Sequence, residues 1–379
     1  MKQKKVGILN FQYSDHNYGA VLQAAALENV VKQLGYNAEH INYIPYNNGL
    51  KNRLKKSFFG HLVKVILGKS SFFNYVTNQN AFENFRQEWI TRTPISYHTS
   101  SDLDDISSNY NAIIVGSDQV WRQGMHSTPT DTYAYYLQFA SDTTLRISYA
   151  ASFGVDYWET SENQQKETTI KNSILKFDSI SVRESSGVDI CAKQFNKKAE
   201  HVLDPTLLVD KAFFERIISS IDLEKNSNIV YYKLDVSNTF TEQLTSFANK
   251  TNLSLENIYF TKEKFFNKYI PVNMWLYKIK NSDLVITDSF HCVCFSIIFN
   301  KDFLCIRNKK RGESRLYSLL NILNLESKLI DENELDCHLK NYSAIDYSSI
   351  NKILDNKKES SIEFLKKSLQ PLQRISSAK

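Results

Sequence analysis

The stretch VGILNFQYSDHNYGAVLQAAALENVVKQLGYNAEHINY, residues 6–43, decides the fold class. Val6-Gly7-Ile8-Leu9 is a short continuous apolar run, the pattern of a parallel strand buried on both faces. A polar turn follows it. Across 18–34, Ala20, Ala24, Leu27, Val31 and Leu34 recur at spacings of four and three, so they share one face of a helix. Gly35 supplies a residue able to close that helix, and the chain resumes as a strand over 38–43. The order strand, helix, strand predicts an α/β protein.

The same rhythm recurs outward from this opening. Apolar runs at 112–115, 145–150 and 178–182 predict buried strands, with a helix over 162–176 between the last two. A further strand at 200–203 stops at Asp204-Pro205. A second set has strands at 228–234, 254–260, 284–287 and 303–306, separated by helices at 239–250, 272–280 and 290–299. A chain of 379 residues exceeds what one core usually supports. Two successive sets predict two Rossmann-like domains with a cleft at the carboxyl ends of their strands. The expected division is 1–205, with a helical insertion at 46–97, then 206–345. A last amphipathic helix within 346–379 is expected to pack back across the junction.

Composition removes several classes of function. Hydrophobic residues make up 42% and charged residues 23%, ordinary values for a globular protein. The net charge of +5 is spread along the chain rather than gathered into the basic stripe of a nucleic-acid binder. It suits anionic substrates or transient contact with an anionic membrane. Within the insertion, Leu54, Phe58, Leu62 and Val65 share a face flanked by Arg53, Lys55, Lys56 and Lys64. That face either covers the sheet or touches a membrane as a basic amphipathic helix. No apolar run reaches the length of a membrane span, and the stretch after Met1-Lys2-Gln3-Lys4-Lys5 is too short for a secretory core. Five cysteines without a CxxC pair give no zinc signature. The expectation is a reduced, cytoplasmic protein without metal or cofactor, with peripheral contact at the inner membrane face as a further possibility of the basic segment.

Polar clusters follow several predicted strands. Asp15-His16-Asn17-Tyr18-Gly19 precedes the first helix, where exposed N–H groups suit an anion and Asn17 could cap the helix or bind a hydroxyl. Gly116-Ser117-Asp118-Gln119-Val120-Trp121 could grip and stack a sugar, or form a turn above a buried Trp. Small residues at Ala150-Ala151-Ser152-Phe153-Gly154 permit close backbone approach. Arg183-Glu184-Ser185-Ser186 reads as an anion clamp or as a surface ion pair. Thr287-Asp288-Ser289-Phe290-His291 places an imidazole in the first turn of a helix, where it could move a proton. Arg311 and Arg315 follow the next strand. No Walker A, GxGxxG or GxSxG pattern is present.

Taken in order, these stretches resemble the polysaccharide pyruvyl transferase family. Val6-Gly7-Ile8-Leu9, Asn17-Tyr18-Gly19-Ala20, Val115-Gly116-Ser117-Asp118-Gln119-Val120-Trp121, Tyr149-Ala150-Ala151-Ser152-Phe153-Gly154, Val182-Arg183-Glu184, Leu203-Asp204-Pro205-Thr206 and Asp288-Ser289-Phe290-His291 carry the resemblance. It implies a fold like that of GT-B glycosyltransferases, phosphoenolpyruvate as donor co-substrate, and a sugar of a polysaccharide or glycolipid precursor, lipid-linked in some cases, as acceptor. The product implied is a cyclic pyruvate ketal. His291, Asp118 and Asp15 are then the expected catalytic residues. Arg183, Ser289, His291 and Arg311 are expected on the donor, with Arg315 an alternative to Arg183. Asn17, Tyr18, Gln119 and Trp121 are expected on the acceptor. Two rivals stay open: a GT-B glycosyltransferase using a nucleotide sugar, and a binding protein that keeps the scaffold.

Overall fold

The computed structural model describes residues 4–45, 76–77, 80–126, 128–223, 228–262, 267–308 and 311–377. The chain opens with β1 (Lys5–Leu9), α1 (Tyr18–Gln33) and β2 (Asn37–His40). The short β3 (Val76–Thr77) and α2 (Asn80–Trp89) follow. Next come β4 (Ala112–Val115), α3 (Pro129–Tyr135), β5 (Leu145–Ala151), α4 (Gln164–Leu175), β6 (Ser179–Val182), α5 (Ser185–Phe195) and β7 (Glu200–His201). The second set runs through α6 (Lys211–Ile218), β8 (Asn228–Tyr232), α7 (Asn238–Thr251), β9 (Ser254–Asn257), β10 (Phe260–Lys262) and β11 (Asn267–Tyr269). It continues through α8 (Val272–Asn281), β12 (Leu284–Thr287), α9 (Phe290–Ile298), β13 (Asp302–Ile306), α10 (Ser314–Ile322), β14 (Leu329–Ile330) and α11 (Leu335–Lys340) to α12 (Tyr347–Ser377).

Two parallel sheets result. The first has the order β2-β1-β4-β5-β6-β7 and the second the order β14-β13-β12-β8-β9. In each, the first strand of its set lies beside the second, and the rest extend from its other side. The strand order therefore reverses between β1 and β4 in one sheet and between β8 and β12 in the other. Ligands of open α/β sheets sit at such reversals, beyond the carboxyl ends of the strands. A small third sheet, β10-β11-β3, joins a strand of the insertion to the second set.

Helix α1 departs from the one-faced pattern its sequence predicts. Thirteen of its residues are buried, from Tyr18 to Val31. Its second face packs on the turn at Pro205–Leu207 and on α2 and α9. The run Ala24-Ala25-Ala26 permits that close approach from two sides. Tyr18 completes the joint: its ring stacks on Trp275 at 4.9 Å and 4°, and its hydroxyl donates to the Ile270 carbonyl at 2.8 Å. One apolar cluster consequently runs from Val6 and Leu27 through Trp275 to Phe295 and Leu365. Helix α12 ties both sets together. Tyr347 donates to the Lys301 carbonyl at 2.6 Å, while the Leu369 carbonyl accepts from Tyr36 at 3.0 Å.

Two local expectations change. The strand expected over 254–260 is broken after Asn257, whose side chain accepts from the Tyr259 N–H at 2.8 Å and turns the chain into β10 of the third sheet. The face of Leu54, Phe58, Leu62 and Val65 lies outside the described residues. Among the described residues no helix is long and apolar enough to cross a membrane.

If α1 and Trp275 hold one shared core, Trp275→Ala should cost roughly 3–5 kcal/mol, as large-to-small core changes do. Urea unfolding should still show a single transition for the whole chain. Tyr157→Ala, at a side chain 59% exposed, should stay within about 0.5 kcal/mol of the parent.

Candidate active site between the sheets

The two strand-order reversals face each other across a cleft of about 370 Å³, within the usual range for small-molecule sites. The first sheet contributes His16 and Asn17 after β1, and Asp118, Gln119 and Arg122 after β4. The second contributes Tyr232 and Leu234 from the end of β8, Asp288, Ser289, Phe290 and His291 after β12, and Asn308, Arg311, Gly312 and Arg315 after β13. Tyr259 lines the same cavity from the turn before β10.

Beneath the cleft lies a buried cluster of charge. Arg183 leaves the end of β6 with a side chain only 1% exposed. It donates to Asp204 at 2.7 Å and to Asp118 at 3.2 Å, and its guanidinium carbon lies 4.4 Å from the centroid of the Phe290 ring. Asp204 also accepts from the Ser117 hydroxyl at 3.0 Å and from the Thr206 N–H and hydroxyl at 3.0 and 2.8 Å. Burial alone would raise the pKa of both carboxylates. For Asp204 the opposing effect of His291 and Arg183, with the Thr206 bond, wins and holds it well below the ordinary range. For Asp118 burial is likewise outweighed by Arg183, His291 and Arg315. Both stay ionised near neutral pH. Asp118 has a φ of +72°, and its side chain accepts from the next N–H, of Gln119, at 2.9 Å, a local bond that suits this left-handed conformation. Glu184 is also sealed in. Burial raises its pKa against the pull of Arg183 and Arg315, while one oxygen accepts from the N–H groups of Phe153 and Gly154.

His291 occupies the first turn of α9. Its Nε2 lies 3.4 Å from the Asp204 carboxylate, and its Nδ1 rests against Gly19. A Cβ on Gly19 would fall 1.9 Å from Nδ1, so only glycine fits at that position of α1. Two other glycines serve the cleft in the same way. A Cβ on Gly154 would fall 2.2 Å from the Gln119 side-chain oxygen, and one on Gly312 would fall 1.9 Å from the Gly154 carbonyl. The loops after β5 and β13 thus meet backbone to backbone.

One wall of the cleft gathers hydrogen-bond donors of the kind that suit an anion. Helices α9 and α10 both begin at it, and neither has a side-chain cap on its first N–H groups; α1 is capped by Asn17, which accepts from Ala20 at 3.2 Å. Uncapped helix starts present N–H donors and a partial positive charge. Arg315, in the first turn of α10, is 8% exposed. It donates to the Arg311 carbonyl at 3.0 Å and stands 3.8 Å from Asp118, and its Nε has no partner. Burial and the neighbouring Arg183 lower its pKa to about 10, which leaves it charged at neutral pH. Arg122 donates to Gln119 at 3.0 Å. Arg311 lies at the rim, half exposed and bonded twice to Asp235 at 3.1 and 3.2 Å. Asp288 accepts from Leu234 N–H and from Asn308, both at 2.8 Å; burial raises its pKa in spite of these bonds.

The cleft brings together His291, Ser289, Asp118, Asn17, Gln119 and Arg311 of the residues expected from the sequence. Four others are placed elsewhere. Trp121 is 1% exposed, donates to the Tyr135 carbonyl at 3.0 Å and stacks on Tyr136; it is a core residue with no face for a sugar. Tyr18 is fully buried in the joint with Trp275. Asp15 turns away from the cleft to pair with Arg86 at 2.6 Å. Arg183 lies below the floor with its two terminal nitrogens on Asp204 and Asp118, while Arg122, Arg311 and Arg315 line the cavity. Asp204, Arg122 and Tyr259 were given no role from sequence. The signal available is position: Asp204 stands just beyond β7, and Arg122 lies in the loop that follows β4.

A family model described as polysaccharide pyruvyl transferase matches residues 17–310. No curated protein matches the sequence. Among solved structures the chain is similar to a UDP-N-acetylglucosamine 2-epimerase over 98% of this chain and 97% of that one, at 10% identity and a TM-score of 0.54. It is similar to S. aureus MnaA in its co-structure with UDP over 94% and 96%, at 10% identity and 0.53. It also resembles the UDP-GlcNAc 2-epimerase of Neisseria meningitidis bound to UDP-GlcNAc, over 96% and 100%, at 10% identity and 0.50. These neighbours have the GT-B fold, and the two facing parallel sheets of this chain are the same fold.

Because Asp204 and Asp118 are both held below their unfolded pKa values, the stability they contribute is complete above the ordinary carboxylate range, about 4, and is lost as pH falls through their folded values. Asp204→Asn should cost roughly 3–5 kcal/mol at neutral pH, because it breaks a buried pair. It should also flatten the loss of stability between about pH 5 and about pH 2. Urea unfolding at a series of pH values measures both effects.

Proposed function

Because the chain belongs to the polysaccharide pyruvyl transferase family, we propose that it transfers pyruvate from phosphoenolpyruvate to two hydroxyls of a sugar in a polysaccharide or glycolipid precursor, forming a cyclic ketal. One observation carries this reading. An imidazole, a buried arginine with an unmet donor and two uncapped helix starts converge on one wall of the cleft. Phosphoenolpyruvate is a small dianion-plus-carboxylate that needs such donors and a proton carrier. In this assignment Ser289 and the starts of α9 and α10 take the phosphate, and Arg315 takes the carboxylate as a two-pronged donor.

The chemistry follows from the groups present. A proton added to the methylene carbon leaves oxocarbenium character on the carbon that bears the phosphate. One sugar hydroxyl adds there and gives up its proton. Phosphate then departs with the electrons of its C–O bond, and the second hydroxyl closes the ring. Of the two hydroxyl protons, one becomes part of the new methyl group and the other leaves on phosphate. His291 is the group placed to carry a proton. Asp118 is a weak base while paired with Arg183, so its role is to orient the acceptor together with Asn17, 3.5 Å away, and Gln119. The fold neighbours that bind UDP or UDP-GlcNAc support a second reading, a nucleotide-sugar enzyme using the same helix starts for a diphosphate.

Calorimetry separates the two. Phosphoenolpyruvate should bind and a panel of UDP- and GDP-sugars should not; the reverse result would favour the second reading. Arg315→Met should weaken phosphoenolpyruvate binding roughly 10- to 100-fold, the worth of hydrogen bonds to a charged group. His291→Ala should leave that binding nearly intact and lower kcat by about 10²- to 10⁴-fold, measured as phosphate release with candidate lipid-linked sugars.

A further inference from the structure

Asp204 and His291 come from opposite halves of the chain and meet beneath the cleft. Asp204 follows β7, whereas His291 begins α9 on the second sheet. The Asp204 side chain is wholly buried, and its four short bonds all come from donors: Arg183, Ser117 and, twice, Thr206. An ionised carboxylate can only accept. Whatever faces it on the remaining side must donate. The atom that faces it is Nε2 of His291, at 3.4 Å, sealed from solvent and without any other partner. The distance exceeds that of a formed hydrogen bond, as is common for catalytic contacts before substrate tightens them. The other ring nitrogen, Nδ1, lies against Gly19 at the start of α1, on the side from which Asn17 and His16 line the cavity.

We infer that Asp204 is a positioning residue: it holds His291 as the Nε2–H tautomer and so leaves the lone pair of Nδ1 to meet the reacting groups. The tautomer is a property of the protein alone, while its use in catalysis rests on the function proposed above. In that use the O–H electron pair of the acceptor becomes the new C–O bond as its proton moves to Nδ1. The imidazolium so formed keeps Nε2–H toward Asp204. The same proton then leaves on the departing phosphate, and the ring returns to its neutral form. Gly19 is part of the arrangement, because any side chain there would occupy the place of Nδ1.

The test is a long-range proton–nitrogen NMR correlation on the full chain labelled with ¹⁵N-histidine, at a pH where the ring is neutral. The His291 signals are assigned by their loss in His291→Gln. The expected result is a protonated Nε2 and an unprotonated Nδ1. An Nδ1–H tautomer in the wild-type protein overturns the inference, and this reading needs no substrate. In Asp204→Ala the two tautomers should become mixed. With phosphoenolpyruvate as the donor, kcat should then fall on the order of 10²-fold while donor binding changes less than about threefold. Should the unpaired Arg183 prevent that variant from folding, Asp204→Ala combined with Arg183→Met removes both partners of the pair and is read in the same way. A tautomer unchanged in the folded variant overturns the inference. Failure of phosphoenolpyruvate to bind, with the tautomer as expected, overturns the donor assignment and leaves the inference about Asp204 standing.

Discussion

A guanidinium sealed under a cleft must find carboxylates, and the rest of the site depends on how Arg183 finds two. It reaches Asp118 from the neighbouring half of the first sheet and Asp204 from the chain just beyond β7. Those two carboxylates in turn face the second sheet: Asp204 meets His291 and Asp118 meets Arg315. Each charge has a partner of the opposite sign, so the cluster can remain ionised without water. Taking any one member away would leave another uncompensated in a low-dielectric surround, which is the most costly outcome for a buried pair.

This cluster also explains a division of labour among the arginines. Arg183 is closest to the centre of the charge: its two terminal nitrogens are held by Asp204 and Asp118, and its face lies on Phe290. Arg315 is nearly as buried but lines the cleft, and its only carboxylate contact among the described residues is the long one to Asp118, 3.8 Å. The guanidinium clamped between two carboxylates organises its neighbours, and the one that reaches the cavity is the one open to a ligand.

Much of the architecture was legible in the sequence because it follows from apolar pattern. Val6-Gly7-Ile8-Leu9 and Ala112-Ile113-Ile114-Val115 read as buried parallel strands, and the strand ends they mark are where the cleft lies. His291 and Asp118 were found for the same reason. Residues whose roles depend on what lies across from them were not legible. Trp121 and Tyr18 look like sugar platforms beside polar strand ends, but each ring is covered by a second aromatic ring, Tyr136 for Trp121 and the distant Trp275 for Tyr18. Asp15 and Arg183 look like free charges until Arg86, Asp118 and Asp204 are placed beside them. Asp204 reads as the end of a strand before a proline, and nothing local reveals that an imidazole from a residue 87 positions later will face it. The two faces of α1 were hidden likewise, since alanines serve equally as filler on one side and as contact on both.

The continuous core around α1 bears on how such a chain can be recombined. In many proteins with two facing sheets the halves are modules, and a new specificity can be made by exchanging one half for that of a relative. Here the first helix of one half is interior to the other, and α12 returns to pack on both. A junction placed between β7 and β8 would therefore cut through side chains fitted to each other rather than through a linker. A workable chimera would have to carry α1, α8, α9 and α12 together as one inherited block.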